Sequence, residues 1–204
     1  MTFVFDDGAH GSHVAGIAAG HAIGGVAGQN GIAPGAQVLS LKIGNNQLSG
    51  GATTSGSMWN AWNYAARWST ERGVPVVAQM SYGIGSETEG HSRMEAEIDR
   101  LLESTPMLLG SVTNGNEGPG LSTAGLPSCA RHVIAAGAVM NKTTARDIYG
   151  VELPQDFVFD FSSRGAEFAK PDLVTPGFAA STVPAWREGA DVMRGTSMAA
   201  PQVA

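Results

Sequence analysis

The chain has 204 residues, 43% hydrophobic and 15% charged, with a formal net charge of −6. That length supports one domain with a sizeable core, and the composition excludes a disordered tail. The acidic balance and scattered basic residues exclude a nucleic-acid surface, and no apolar run approaches the roughly 20 residues of a membrane-spanning helix. The single cysteine, Cys129, cannot form an internal disulfide and reads as a buried, inert thiol. The opening residues contain no basic-then-apolar leader; cytoplasmic and secreted locations both stay open, as does the oligomeric state.

HGSHVAGIAAG (10–20) carries small residues at 11, 15, 16, 18 and 19, the composition of a helix packed tightly against neighbouring backbone. His10 stands at its amino end, where the helix dipole disfavours imidazolium and leaves a ring able to accept a proton. His13, three residues on, raises a zinc reading, but that motif needs histidines at i and i+4 with a glutamate between them. Loop 21–31 contains no carboxylate for a hard cation such as calcium. No metal and no cofactor is therefore expected.

QVLSLKIG (37–44), VPVVAQMSYG (74–83), PMLLGSVTNG (106–115) and HVIAAGAV (132–139) are short apolar runs that read as buried parallel strands. Between them, the segment starting at Thr54 sets Trp59, Trp62 and Ala66 on one helical stripe, and 92–104 groups Met94, Ile98, Leu101 and Leu102. Alternating strands and helices predict a layered α/β domain with right-handed crossovers and its chemistry at the carboxyl ends of the strands.

Two later stretches end such elements. TNGNEGPG (113–120) is either a turn or a loop that projects an asparagine amide into a cleft. In RGTSMAAPQVA (194–204), Gly195 permits close backbone approach and Pro201 fits only the opening turn of a helix. Ser197 then sits at a helix amino end, as a cap or as a nucleophile. A hydroxyl needs a base to attack at neutral pH, and acyl transfer needs donors aimed at the developing oxyanion. His10, Ser197 and Asn116 supply base, nucleophile and oxyanion-hole donor for cleaving a peptide or ester bond.

HGSHVAG (10–16), SYG (81–83), GNEG (115–118) and GTSMAAP (195–201), with FSSRG (161–165) and KPDLVTPG (170–177) before the last, resemble the motifs of the subtilisin-like serine peptidases. GAHGSHVAGIAAGH, NGIAPGAQVLSLKIG and GPGLSTAG resemble the tripeptidyl-peptidase II branch of that family. The resemblance implies a three-layer subtilisin-like α/β fold with a mostly parallel central sheet and helices on both faces. It implies that residues 1–204 are a partial catalytic domain, truncated at both ends. The implied activity is serine endopeptidase, with His10, Ser197 and Asn116 in the roles given above. A peptide or protein substrate would lie along the backbone of Ser81, Tyr82 and Gly83 by strand addition.

Two departures shape the expectation. The family's triad aspartate lies on an earlier strand, in an Asp-Ser/Thr-Gly context, and nothing before His10 fits it. Asp6 and Asp7 belong to the loop entering the helix, and only a bend at Gly8 would return one to the imidazole. The fragment alone is therefore expected to be weakly active or inactive. The branch also holds a substrate's free amino terminus with two glutamates. Those positions align here with Ala52 and Ile84, and Glu87 and Glu89 are displaced. Internal cleavage is expected ahead of tripeptide release. Oxidation of Met198, beside the nucleophile, is expected to lower activity. A non-catalytic peptide-binding domain is the alternative, and a lipase-like site would need G-x-S-x-G around Ser197, which is absent.

Overall fold

A computed structural model of the chain describes residues 5–48, 51–85, 88–187, 189 and 191–204. Its central sheet joins β1 (Val76–Met80), β2 (Leu108–Thr113), β3 (Val133–Met140) and β5 (Leu173–Pro176) through parallel ladders. The two-residue β4 (Phe157–Val158) pairs antiparallel with the end of β3. A separate hairpin of β6 (Phe178–Ala180) and β7 (Val192–Arg194) leads into α5 (Thr196–Ala199). The remaining helices are α1 (His10–Ala19), α2 (Ser55–Arg72), α3 (Arg93–Ser104) and α4 (Lys142–Tyr149).

The helix boundaries have local causes. Thr54 caps α2 by accepting from Ser57 N at 3.1 Å, and Gly73 closes it in the left-handed region. Ser92 and Glu95 form a reciprocal capping box at α3. Alternate residues of each strand then face opposite sides of the sheet. On one side Leu108, Val112, Val133 and Ala135 meet Met58, Trp62 and Ala66 of α2 and Met94, Ile98 and Leu102 of α3. The helical stripes expected from the sequence are thus largely buried, with Trp59 and Leu101 at their margin. On the other side, α5 packs on β3 through Ala136, Ala199 and Ala200, and α1 packs on α5 through Val14, Ile17 and Met198. Helices therefore cover both faces of a mostly parallel sheet.

One expected strand is not formed. Residues 37–44 have no ladder partner among the described residues. Leu41 and Ile43 dock on the core, while Val38 and Leu39 stay exposed. Alternation reports which side chains want burial, but a strand also needs a neighbouring backbone to pair with. Val77, Leu109 and Ile134 also remain exposed on the sheet.

Cys129 is buried, and that burial pushes its thiol pKa up to about 11, with the charge of Glu95 adding to the shift. Burial therefore disfavours the thiolate at neutral pH. Ile98 is fully buried at the α3–sheet contact. Ile98→Ala should cost about 2–5 kcal/mol of unfolding free energy, measured by urea titration.

Candidate active site

The carboxyl ends of β1 and β2 and the start of α5 meet at one place. Gly195 precedes α5 at φ 145 and ψ 166, a conformation open essentially to glycine alone. It sets Thr196 and Ser197 in the first turn. Thr196 is fully buried; its hydroxyl shares a hydrogen bond with Thr113 and lies 2.9 Å from Asn116 Oδ1. The Thr196 N–H also donates to Asn116 Oδ1, at 2.9 Å.

That last bond decides the Asn116 amide. A backbone N–H can only donate, so its partner atom must be the oxygen, and the amide nitrogen must point the other way. A side-chain carbon at Gly195 would lie 3.6 Å from Asn116 Oδ1, 3.7 Å from Asn116 Nδ2 and 3.7 Å from Ser197 N. The Asn116 amide and the Ser197 N–H therefore both lie close to Gly195. Asn116 is fixed from behind as well: its N–H donates to Glu117 Oε2 at 2.7 Å, and Ser163 Oγ donates to the same oxygen at 3.0 Å.

Ser81, expected to offer only backbone, contributes its side chain. Its hydroxyl donates to the Ser197 carbonyl at 2.7 Å and accepts from Gln79 Nε2 at 2.7 Å. Tyr82 and Gly83 lie past the end of β1 and before an isolated antiparallel bridge between Ile84 and Leu126. The Tyr82 ring packs against the main core, and Gly83 is exposed.

His10 opens α1 and shares a helix face with Val14 and Ile17, the residues that touch Met198 beside Ser197. Ser197 Oγ donates to the Ser81 carbonyl at 3.4 Å, and no hydrogen bond joins it to His10. His10 is exposed to solvent. The chain packed around it still costs the charged form hydration and lowers its pKa, opposed in part by Asp6 and reinforced by His13. The chain turns back at Ala9 (φ 67), and Asp6 receives the Ser12 N–H at 2.6 Å. Asp6 thus caps the helix instead of bonding the imidazole, and acts on His10 through its charge.

Ala52 and Ile84 carry no carboxylate, and Glu87 lies outside the described residues. Glu89 is buried and already engaged: it accepts from Ala166 N at 2.6 Å, Ser122 Oγ at 3.0 Å and Glu167 N at 3.4 Å. Thr196, Gln79 and the Ser81 hydroxyl were not found by motif reading. Gln79 and Ser81 are two apart at a strand end, hence on one face, and that spacing is the signal in the sequence that marks them as neighbours.

A family model described as the subtilase family matches residues 3–204. The chain is 38% identical over 207 residues to tripeptidyl-peptidase 2 of Caenorhabditis elegans, covering 98% of this chain and 14% of that protein. It is 31% identical to pyrolysin of Pyrococcus furiosus, covering 85% of this chain and 13% of the relative. It thus spans about one seventh of the length of these relatives. Among solved structures, sphericase superposes with a TM-score of 0.76 at 26% identity, over 97% of this chain and 61% of that one.

His13, three residues after His10, is fully buried, and its Nε2 donates to the Asp191 carbonyl at 2.9 Å. Burial lowers its pKa below 6.5, against the opposing pull of the Asp191 and Ala179 carbonyls and the Asp191 charge. The unfolded chain therefore takes up a proton that the folded ring refuses. The contribution of His13 is full above pH 6.5 and is lost as pH falls below it. The thermal midpoint should drop between about pH 7.5 and about pH 5.5, and His13→Gln should flatten that dependence.

Proposed function

This chain belongs to the subtilase family, and we propose that it carries the base, nucleophile and oxyanion donor of a serine endopeptidase. The observation that carries the reading is that the Asn116 amide, its oxygen held by the Thr196 N–H, lies with the Ser197 N–H beside Gly195. A peptide-binding domain has no need for an amide held by its oxygen next to a serine N–H.

In this reading Ser197 Oγ attacks the substrate carbonyl carbon while His10 takes the hydroxyl proton. The tetrahedral oxyanion lies between the Asn116 amide and the Ser197 N–H, donors already in place before the charge develops. His10 then gives its proton to the leaving amine, and water hydrolyses the resulting ester by the same steps. The lowered pKa of His10 keeps the ring neutral, and so able to act as base, at neutral pH. Tyr82 and Gly83, outside the ladder between Met80 and Ile84, are suited to pairing with an extended substrate.

Internal cleavage is favoured over release of tripeptides. An ammonium at a substrate's amino terminus needs a free carboxylate. Ala52 and Ile84 offer none, and Glu89 is occupied by two backbone amides and a hydroxyl. In the full-length protein, peptides with blocked amino termini should be cleaved nearly as well as those with free ones. A strong preference for free ends would instead support tripeptide release, the activity in the name of the Caenorhabditis elegans relative. Asn116→Ala should lower kcat by about 100- to 1,000-fold with KM little changed. A defect confined to KM would give Asn116 a different role.

A further inference from the structure

The helix that carries Ser197 is one hydrogen bond short, and the sequence shows where. In an α-helix the carbonyl of residue i accepts from the N–H of residue i+4. For Ser197 that position is Pro201, which has no N–H. The backbone remains helical through Ala199 and Ala200, and the Ala200 N–H reaches the Thr196 carbonyl in the ordinary way. The next carbonyl, that of Ser197, is the one left without its backbone donor.

The sheet supplies the replacement. Ser81 Oγ, at the end of β1, donates to Ser197 O at 2.7 Å. A hydroxyl has one hydrogen, and two groups could compete for it. Gln79 settles the competition: its Nε2 donates to Ser81 Oγ at 2.7 Å, so the Ser81 hydrogen is directed to Ser197 O. The Ser81 carbonyl lies 3.4 Å from Ser197 Oγ, so the same residue meets both the backbone and the side chain of the serine.

Resting on the reading of Ser197 as nucleophile, we infer that Ser81 and Gln79 are positioning residues for it, with the Ser81 hydroxyl standing in for the N–H that Pro201 lacks. This role is separate from any contact between the Ser81 backbone and substrate. It acts on the first turn of α5, whose geometry sets both the Ser197 hydroxyl and the Ser197 N–H. A loose carbonyl lets that turn shift, and small displacements of a nucleophile are costly to rate.

The test uses Ser81→Ala, Gln79→Glu, Pro201→Ala and the double variant S81A/P201A in the full-length protein. The measurements are kcat and KM on a blocked chromogenic peptide, the rate of Ser197 labelling by a fluorophosphonate, and Tm. Ser81→Ala should lower kcat and the labelling rate about 10-fold with KM within about twofold. Gln79→Glu should do the same, because its carboxylate takes the Ser81 hydrogen away from Ser197 O. The Ser81→Ala penalty should shrink to about twofold when Pro201→Ala restores an N–H at that position. An undiminished penalty in the Pro201→Ala background overturns the inference. So does a Ser81→Ala effect on KM or Tm alone. Failure of the unaltered protein to label at Ser197 would overturn the peptidase reading and this inference with it.

Discussion

The first turn of α5 is fastened to the sheet by side-chain hydroxyls, and the site is built around that junction. Ser81, Ser111 and Thr175, from the ends or bodies of three strands, donate to the carbonyls of Ser197, Ala200 and Ala199 at 2.7, 2.8 and 2.8 Å. Gln202 adds a bond to the Met198 carbonyl at 2.9 Å. Pro201 denies the Ser197 carbonyl its usual partner, and a buried acceptor left unpaired is expensive. Meeting that requirement with short strand side chains fixes the turn at close range. Thr196 extends the same junction to Thr113 and Asn116.

The second helix at the site depends on close approach. Gly16 of α1 lies against Ser181 and Thr182, where a side chain would overlap both hydroxyls. Those hydroxyls donate to the carbonyls of His13 and Ser12 at 2.7 and 2.9 Å. The helix that begins with His10 is thus tied to the segment following β6, and the same hairpin feeds Gly195 and Ser197. Met198, almost fully buried, fills the space between α1 and α5. Conversion to its sulfoxide would put a polar group into that apolar contact, so oxidation there acts on helix packing.

Carboxylates around the site serve the backbone. Asp6 receives Ser12 N, Glu117 receives Asn116 N, Glu89 receives Ala166 N and Asp172 receives Ala135 N, all at 2.6 or 2.7 Å. Backbone amides that end elements or line loops need acceptors, and an ionised carboxylate is the strongest one available. Each group used this way is less free to bind a cationic end of a substrate. Glu89, six residues after Gly83, is held in this way by two backbone amides and the Ser122 hydroxyl.

Most of the strands and the helical stripes were legible in the residues themselves, while the roles proposed for His10, Asn116 and Ser197 rest on motif resemblance. Burial periodicity is local, and Trp62, Ile98 and Val112 follow it. Pro201, four residues after Ser197, already marks a missing donor. Residues 37–44 were misread as a strand because pairing depends on a neighbour that the segment does not contain. What only the tertiary structure decided is direction: that the Asn116 amide oxygen meets the Thr196 N–H, that Asp6 caps a helix, and that Ser81 reaches the Ser197 carbonyl. Each of these turns on a hydrogen bond between positions far apart in sequence or on a reversal of the chain, and composition and periodicity carry no record of either.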